Sequence, residues 1–143
     1  MDLNFTGKRV LIVGGSSGIG NGIAHAFKAR GANVEVWGTR ASASDYSGEE
    51  GSDLTDLTYT QVNVADIDAV EAIDPGEHLD VLVQCQGTVR YNREEFTRDG
   101  WDTVLAVNIH SVMAVARKFP HALAVANGSM TSVSSVAGFQ SPT

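Results

Sequence analysis

The residues best suited to chemistry lie in Val13-Gly14-Gly15-Ser16-Ser17-Gly18-Ile19-Gly20, between an apolar run and an amphipathic one. Phosphate binding is what such a segment suits. Glycine at 14 permits a tight turn off a strand, and glycine at 18 lets main chain approach a diphosphate with no Cβ in the way. Glycine at 20 lets the next helix pack close to a sheet. That helix would offer the phosphates its unpaired first-turn N–H groups and the positive end of its dipole. A glycine-rich turn alone is a weak signal; set between a strand and a helix it reads as a dinucleotide site.

Other reactive residue types are less promising. Cys85 has no convincing base nearby and reads as a buried structural thiol. His25, His78, His110 and His121 show no metal-ligand spacing, so no metal site is expected. Asp53, Asp56, Asp66 and Asp68 fall in a polar, solvated stretch. The net charge of −7 argues against nucleic acid or an anionic membrane as partner. Phosphates held by main-chain amides remain compatible with it. A single cysteine excludes an internal disulfide framework and fits a reducing compartment. With no signal-like start and no apolar run of spanning length, the expected location is the cytoplasm, with no membrane partner.

The elements that must position the loop follow from periodicity. Val10–Val13 reads as a central strand buried on both faces. Ile19, Ile23 and Phe27 form a helical stripe that ends at Arg30-Gly31. Val34–Trp37 closes a βαβ unit. From Ala41 to Thr58 the chain is polar, acidic and small, a loop with at most one helical turn. Tyr59–Val64 reads as a third strand, Asp66–Ile73 as a short helix and Leu79–Val83 as a fourth strand. A long helix is expected over Gly100–Ala116 with Trp101, Leu105, Ile109, Val112 and Ala116 on one face, ending or kinking at Phe119-Pro120. Trp101 and Phe119 read as core or interface anchors, and Ser129–Ser135 as a fifth strand. Alternating strands and helices with no repeat and no second domain indicate an α/β, Rossmann-type doubly wound parallel sheet, one domain over residues 1–143.

At this point a resemblance becomes specific. The Gly14–Gly20 spacing, G-x-x-x-G-x-G, resembles that of the short-chain dehydrogenase/reductases, in their compact branch. Further landmarks match in order. Leu79–Val83 followed by Gly87 resembles the family strand that ends in Asn-Asn-Ala-Gly, Val107-Asn108 the Asn of the following long helix, and Ser134-Ser135-Val136-Ala137-Gly138 the strand end bearing the active-site Ser. Departures are present too. Val13 replaces a Thr, Gln84-Cys85-Gln86-Gly87 replaces Asn-Asn-Ala-Gly, and Asn63 stands for the Asp that meets the adenine amino group.

The resemblance implies NAD(P)(H)-dependent hydride transfer between a nicotinamide and a small-molecule alcohol or carbonyl. It places Gly14, Ser16, Ser17, Gly18, Ile19, Gly20, Gly38, Thr39, Arg40, Asn63, Val64, Gln86 and Gly87 along the cofactor. A carboxylate at the end of the second strand would select NAD; Gly38 occupies that place and Arg40 follows, so NADP is expected, with NAD the alternative. Arg40 as a solvated loop cation is the competing reading. Ser135 is the expected Ser that polarises the substrate oxygen, and Asn108 the Asn that holds a water. Against these stand a Ser-rich strand end that only satisfies main chain and a core amide that kinks its helix.

The family's Tyr-x-x-x-Lys does not occur: four residues after Tyr46, Tyr59 and Tyr91 come Glu50, Asn63 and Glu95. The chain therefore reads as an N-terminal portion, inactive alone, that needs a complementing C-terminal segment or a homo-oligomer to cover apolar surface around Val104, Met113 and the fifth strand. A non-catalytic dinucleotide-binding or assembly module is the alternative function.

Overall fold

β1 (Arg9–Val13) is apolar after its first residue because both its faces are covered. Leu11 and Val13 face one core with Trp37, Val70, Leu82, Val115 and Phe119. Val10 and Ile12 face the other, with Ala24, Val34, Val36 and Val83. This period-2 alternation is that of a sheet buried on both sides. The computed structural model describes residues 3–136. Within them β2 (Asn33–Gly38), β3 (Thr58–Gln61), β4 (Val81–Gln84) and β5 (Ser129–Ser132) join β1 in one sheet. The order is β3-β2-β1-β4-β5 and every pairing is parallel.

The chain winds outward from β1 to β3, then returns to the other side of β1 for β4. A crevice therefore opens at the C-terminal ends of β1 and β4, the switch point where such sheets bind ligands. Helix α1 (Gly18–Lys28) contributes Ala24, Ile23 and Phe27 to one core. Helices α4 (Ser111–Lys118) and α5 (Pro120–Ala126) contribute Ala114, Val115 and Ala122 to the other, where Val70 of α2 (Ile67–Ala72) also packs. The doubly wound α/β expectation describes this architecture.

The long helix departs from expectation in a way that has a physical cause. It runs as α3 (Arg98–Leu105), a π-helical turn over Ala106–His110, then α4 and the separate α5. A π turn adds a residue to the repeat and rotates all that follows. After it the buried positions are thus Ser111, Ala114 and Val115 rather than Val112 and Ala116, with Phe119 and Ala122 buried beyond them; Trp101, ahead of the turn, and Ile109, within it, are 57% and 58% exposed. Phe119 is a core anchor as expected; Trp101 is not. Ile19 likewise leaves the expected stripe and is 70% exposed at the mouth of α1. Strand β3 stops three residues earlier than Val64, and β5 is an edge strand with all four residues exposed. Ser134, Ser135 and Val136 follow β5; Ala137 and Gly138 of the motif lie outside the described residues.

One partly buried tether ties the N-terminal ends of β1 and β4 together. The Asp80 carboxylate accepts from the Arg9 main-chain N–H at 2.9 Å and from Lys8 Nζ at 2.8 Å. Burial pushes this carboxyl up, but those two bonds outweigh it and hold it below its ordinary value. A depressed native value means stability present above the unfolded-state pKa and lost as pH falls through the native one. Asp80→Asn is expected to cost about 1 kcal/mol near neutral pH. Urea unfolding at pH 7 and pH 3 checks this: the gap between variant and parent should shrink at the lower pH.

Candidate functional site

The site is built where β1 breaks. Gly14 has φ +76, and a Cβ there would lie 2.8 Å from both Cα and N of Gln86. Only glycine lets the β1–α1 bend rest on the chain leaving β4. Hydrogen bonds hold the bend between its neighbours: Gly14 N donates to Trp37 O (3.2 Å), and Cys85 N donates to Val13 O (2.9 Å).

Ser17 is the N-cap of α1, extended at φ −154, and its side chain makes no capping bond. Asn21 N is bonded to Ser17 O. The amides of Gly18, Ile19 and Gly20 thus precede the first intrahelical donor, Asn21 N, and have no partner within the helix. That of Gly18 donates to Gly51 O at 2.8 Å. Ile19 and Gly20 border the cleft that opens in front of the helix. A Cβ at Gly18 would meet nothing within 4 Å, and its left-handed φ of +55 is what calls for glycine there.

This cleft, about 630 Å³, is bordered by Gly14, Ser16, Ser17, Ile19 and Gly20 of the loop, Gly38 and Thr39 beyond β2, Asn63 and Val64 beyond β3, and Gln86 and Gly87 beyond β4. Eleven of the thirteen residues placed along a cofactor by sequence reasoning thus share one cavity of ligand-binding size; Gly18 and Arg40 lie outside its lining. No carboxylate lines it among the described residues. Asn63 Oδ1 accepts from Ala65 N at 3.2 Å, which leaves its second lone pair for a ligand donor.

The end of β2 is roofed by an aromatic pair that the sequence did not announce. Tyr46, on a 3-10 turn at Ala43–Tyr46, accepts through Oη from Thr39 N (3.2 Å) and Arg40 N (3.3 Å). Burial raises the Tyr46 phenol, but hydrogen bonds from Ser16 and from the Arg40 and Thr39 amides outweigh it and hold it below its ordinary value. Tyr59 donates to Arg40 O at 2.5 Å, and burial pushes its own phenol well up. A Cβ at Gly38 would lie 2.6 Å from Tyr46 Oη and 2.7 Å from Ser16 Oγ. Position 38 therefore has no room for an acidic side chain.

Arg40 itself turns away from the cleft. Its guanidinium lies over the Tyr46 ring, 4.4 Å from the centroid, bonded to Asp45 O and to the Glu49 carboxylate.

The β4 side holds the remaining candidates. Asn108, on the π turn, accepts from Thr88 N at 2.8 Å and donates to Thr88 O at 2.9 Å, so one lone pair and one N–H of its amide fix the loop after β4. Gln86 Nε2 donates to Ser111 Oγ (3.0 Å) and to Gln84 Oε1 (3.1 Å), a polar chain behind the cleft wall. Cys85 borders the cleft, and burial pushes its thiol up, away from the thiolate a nucleophile needs. Ser135 is exposed beyond the end of β5 and is not brought to the cleft lining. Sequence reasoning missed Thr88, Arg90, Thr103 and Val107, which also border the cleft. Their signal, a loop and a helix facing a common opening, exists only in three dimensions. Among the described residues no cluster of metal-ligating side chains occurs, and no helix is long and apolar enough to cross a membrane.

Comparison with known proteins agrees with this geometry. Residues 8–143 match the family model described as short chain dehydrogenase. The 3-oxoacyl-[acyl-carrier-protein] reductase FabG of Chlamydia pneumoniae is 29% identical over 144 residues, 95% of this chain and 58% of that protein. The uncharacterized oxidoreductase YvrD of Bacillus subtilis is 33% identical over 147 residues, 96% of this chain and 55% of that protein. Among solved structures, the RhlG/NADP complex of Pseudomonas aeruginosa superposes with a TM-score of 0.81 at 23% identity, covering 98% of this chain and 59% of that one. This last likeness is one of fold. The chain spans a little over half the length of each of these proteins.

Proposed function

The chain belongs to the short chain dehydrogenase family, and from that premise we propose that it is the nucleotide-binding part of an NADP(H)-dependent oxidoreductase acting on an alcohol or carbonyl. One observation carries the reading. The bend at Gly14, the start of α1 and the ends of β2, β3 and β4 border a single cleft free of carboxylates. The residues present fit a dinucleotide: main chain alone fills the bend at Gly14, and first-turn amides border a cleft lined by no carboxylate.

A bound nicotinamide supplies hydride transfer to or from a substrate carbon. The chain's own residues supply the rest. The amides of Ile19 and Gly20 hold the diphosphate at the positive end of α1, with no basic side chain needed. Ser16, Gly38 and Thr39 meet the adenosine ribose, Asn63 and Val64 the adenine, and Gln86-Gly87 the opposite side. The Ser135 hydroxyl polarises the substrate oxygen. Asn108 is a positioning residue: its amide fixes Thr88, and its second N–H and second lone pair would serve an ordered water in a proton relay.

NADP over NAD is favoured by the closed position 38 and by Arg40, a cation that follows β2 two residues beyond it. Paired affinities for NADPH and NADH test this. Arg40→Ala is expected to lower the preference for NADPH by about tenfold through loss of charge-assisted bonds to the 2′-phosphate. An unchanged ratio, or a parent that prefers NADH, would contradict the NADP reading.

A further inference from the structure

We propose that Glu49 is a specificity-determining residue: it competes with the cofactor's 2′-phosphate for the Arg40 guanidinium and so sets the NADP-to-NAD preference. The inference rests on the proposed reading of the cleft as a dinucleotide site. The usual device for excluding a 2′-phosphate, an acid at the end of β2, is sterically closed here because Tyr46 Oη and Ser16 Oγ fill the space beside Gly38. The nearest acid engaged with this end of the site is Glu49, eleven residues further along.

Glu49 is held in place rather than trailing in solvent. On its N-terminal side the loop is tied by Tyr46, whose hydroxyl receives the Thr39 and Arg40 amides. On its C-terminal side Gly51 O receives the Gly18 amide, and the Asn21 side chain grips both Asp53 O (2.7 Å) and Asp53 N (3.1 Å). Between those tethers Glu49 N donates to Tyr46 O at 3.2 Å, and its carboxylate takes Nη2 of Arg40. Arg40 therefore already has an anionic partner, and a phosphate that takes the Nη2 edge must displace it. The side chains of the pair are 39% and 46% exposed, so the exchange is cheap and the pair acts as a switchable competitor. A guanidinium suits this role, since its planar fork serves a carboxylate or a phosphate but cannot serve both with the same N–H groups.

The test is the equilibrium affinity of the full chain for NADPH and NADH, by calorimetric titration, in Glu49→Gln, Glu49→Ala, Arg40→Ala and the charge-removal control Glu50→Gln. Either Glu49 variant should tighten NADPH about fivefold and leave NADH within twofold, and Glu50→Gln should leave the ratio unchanged. The gain should vanish when Arg40→Ala is combined with Glu49→Gln. The inference is overturned if both Glu49 variants leave NADPH affinity unaltered, if they tighten both cofactors alike, or if Glu50→Gln has an equal effect. Should Arg40→Ala shift the ratio while the Glu49 variants do not, the NADP reading stands and only this inference falls.

Discussion

Ser17→Asp is expected to weaken NADPH and NADH binding about a hundredfold while leaving the fold at least as stable. The two halves of this result have opposite physical origins. Ser17 is the N-cap of α1, is exposed, and has no capping bond to lose. Aspartate is among the best N-cap residues, and its charge favours the positive end of the helix. The same carboxylate would stand where the cofactor's diphosphate is proposed to bind. Two unit charges about 5 Å apart at an effective dielectric near 20 repel by about 3 kcal/mol before screening, which is about a hundredfold in affinity. Calorimetry gives the affinity and thermal melting the stability. Unaltered binding in a folded variant would remove the diphosphate from the mouth of α1. Added salt should recover part of the lost affinity.

Gly14→Ala should do the reverse and damage fold and site together, with a loss of about 2–4 kcal/mol in stability. Left-handed main chain costs alanine about 1–2 kcal/mol. The new methyl would also sit 2.8 Å from main-chain atoms of Gln86, which have no rotamer by which to escape. Relief requires β1 and β4 to part at their C-terminal ends, which opens the cleft floor. Nucleotide affinity should therefore fall by at least tenfold even at temperatures where the variant stays folded. Gly22→Ala is the matched control. Gly22 is exposed within α1 with open space around it, and the change should raise stability by up to about 1 kcal/mol. Chemical unfolding of the two variants side by side checks both signs.

The parts of the molecule legible in the sequence are those governed by local rules. The apolar runs of β1 and β4, the glycine bend and the stop of α1 before Gly31 depend on residue type and spacing, and they occur within two residues of where expected. The landmarks of the proposed nucleotide cleft were legible for the same reason: each lies at a strand's C-terminal end, and a parallel sheet brings those ends together. The hidden features depend on contacts between distant segments. The π turn at Ala106–His110 rotates every later residue of the helix, and nothing in that stretch separates it from an ordinary α turn. The Tyr46–Tyr59 roof and the Arg40–Glu49 pair form across a loop of weak periodicity, in which any of several acids lay within reach of Arg40. Ile19 fits a buried helical stripe, but it stands at the first turn, ahead of the sheet it would have to cover.

Amide chemical-shift mapping during titration with NADPH tests the central claim most directly. Saturable shifts concentrated at Ser17–Gly20, with further changes at Gly38-Thr39 and Asn63-Val64, are the predicted result. Saturable binding that leaves the Ile19 and Gly20 amides unmoved would contradict it, as would no binding at all by the folded protein.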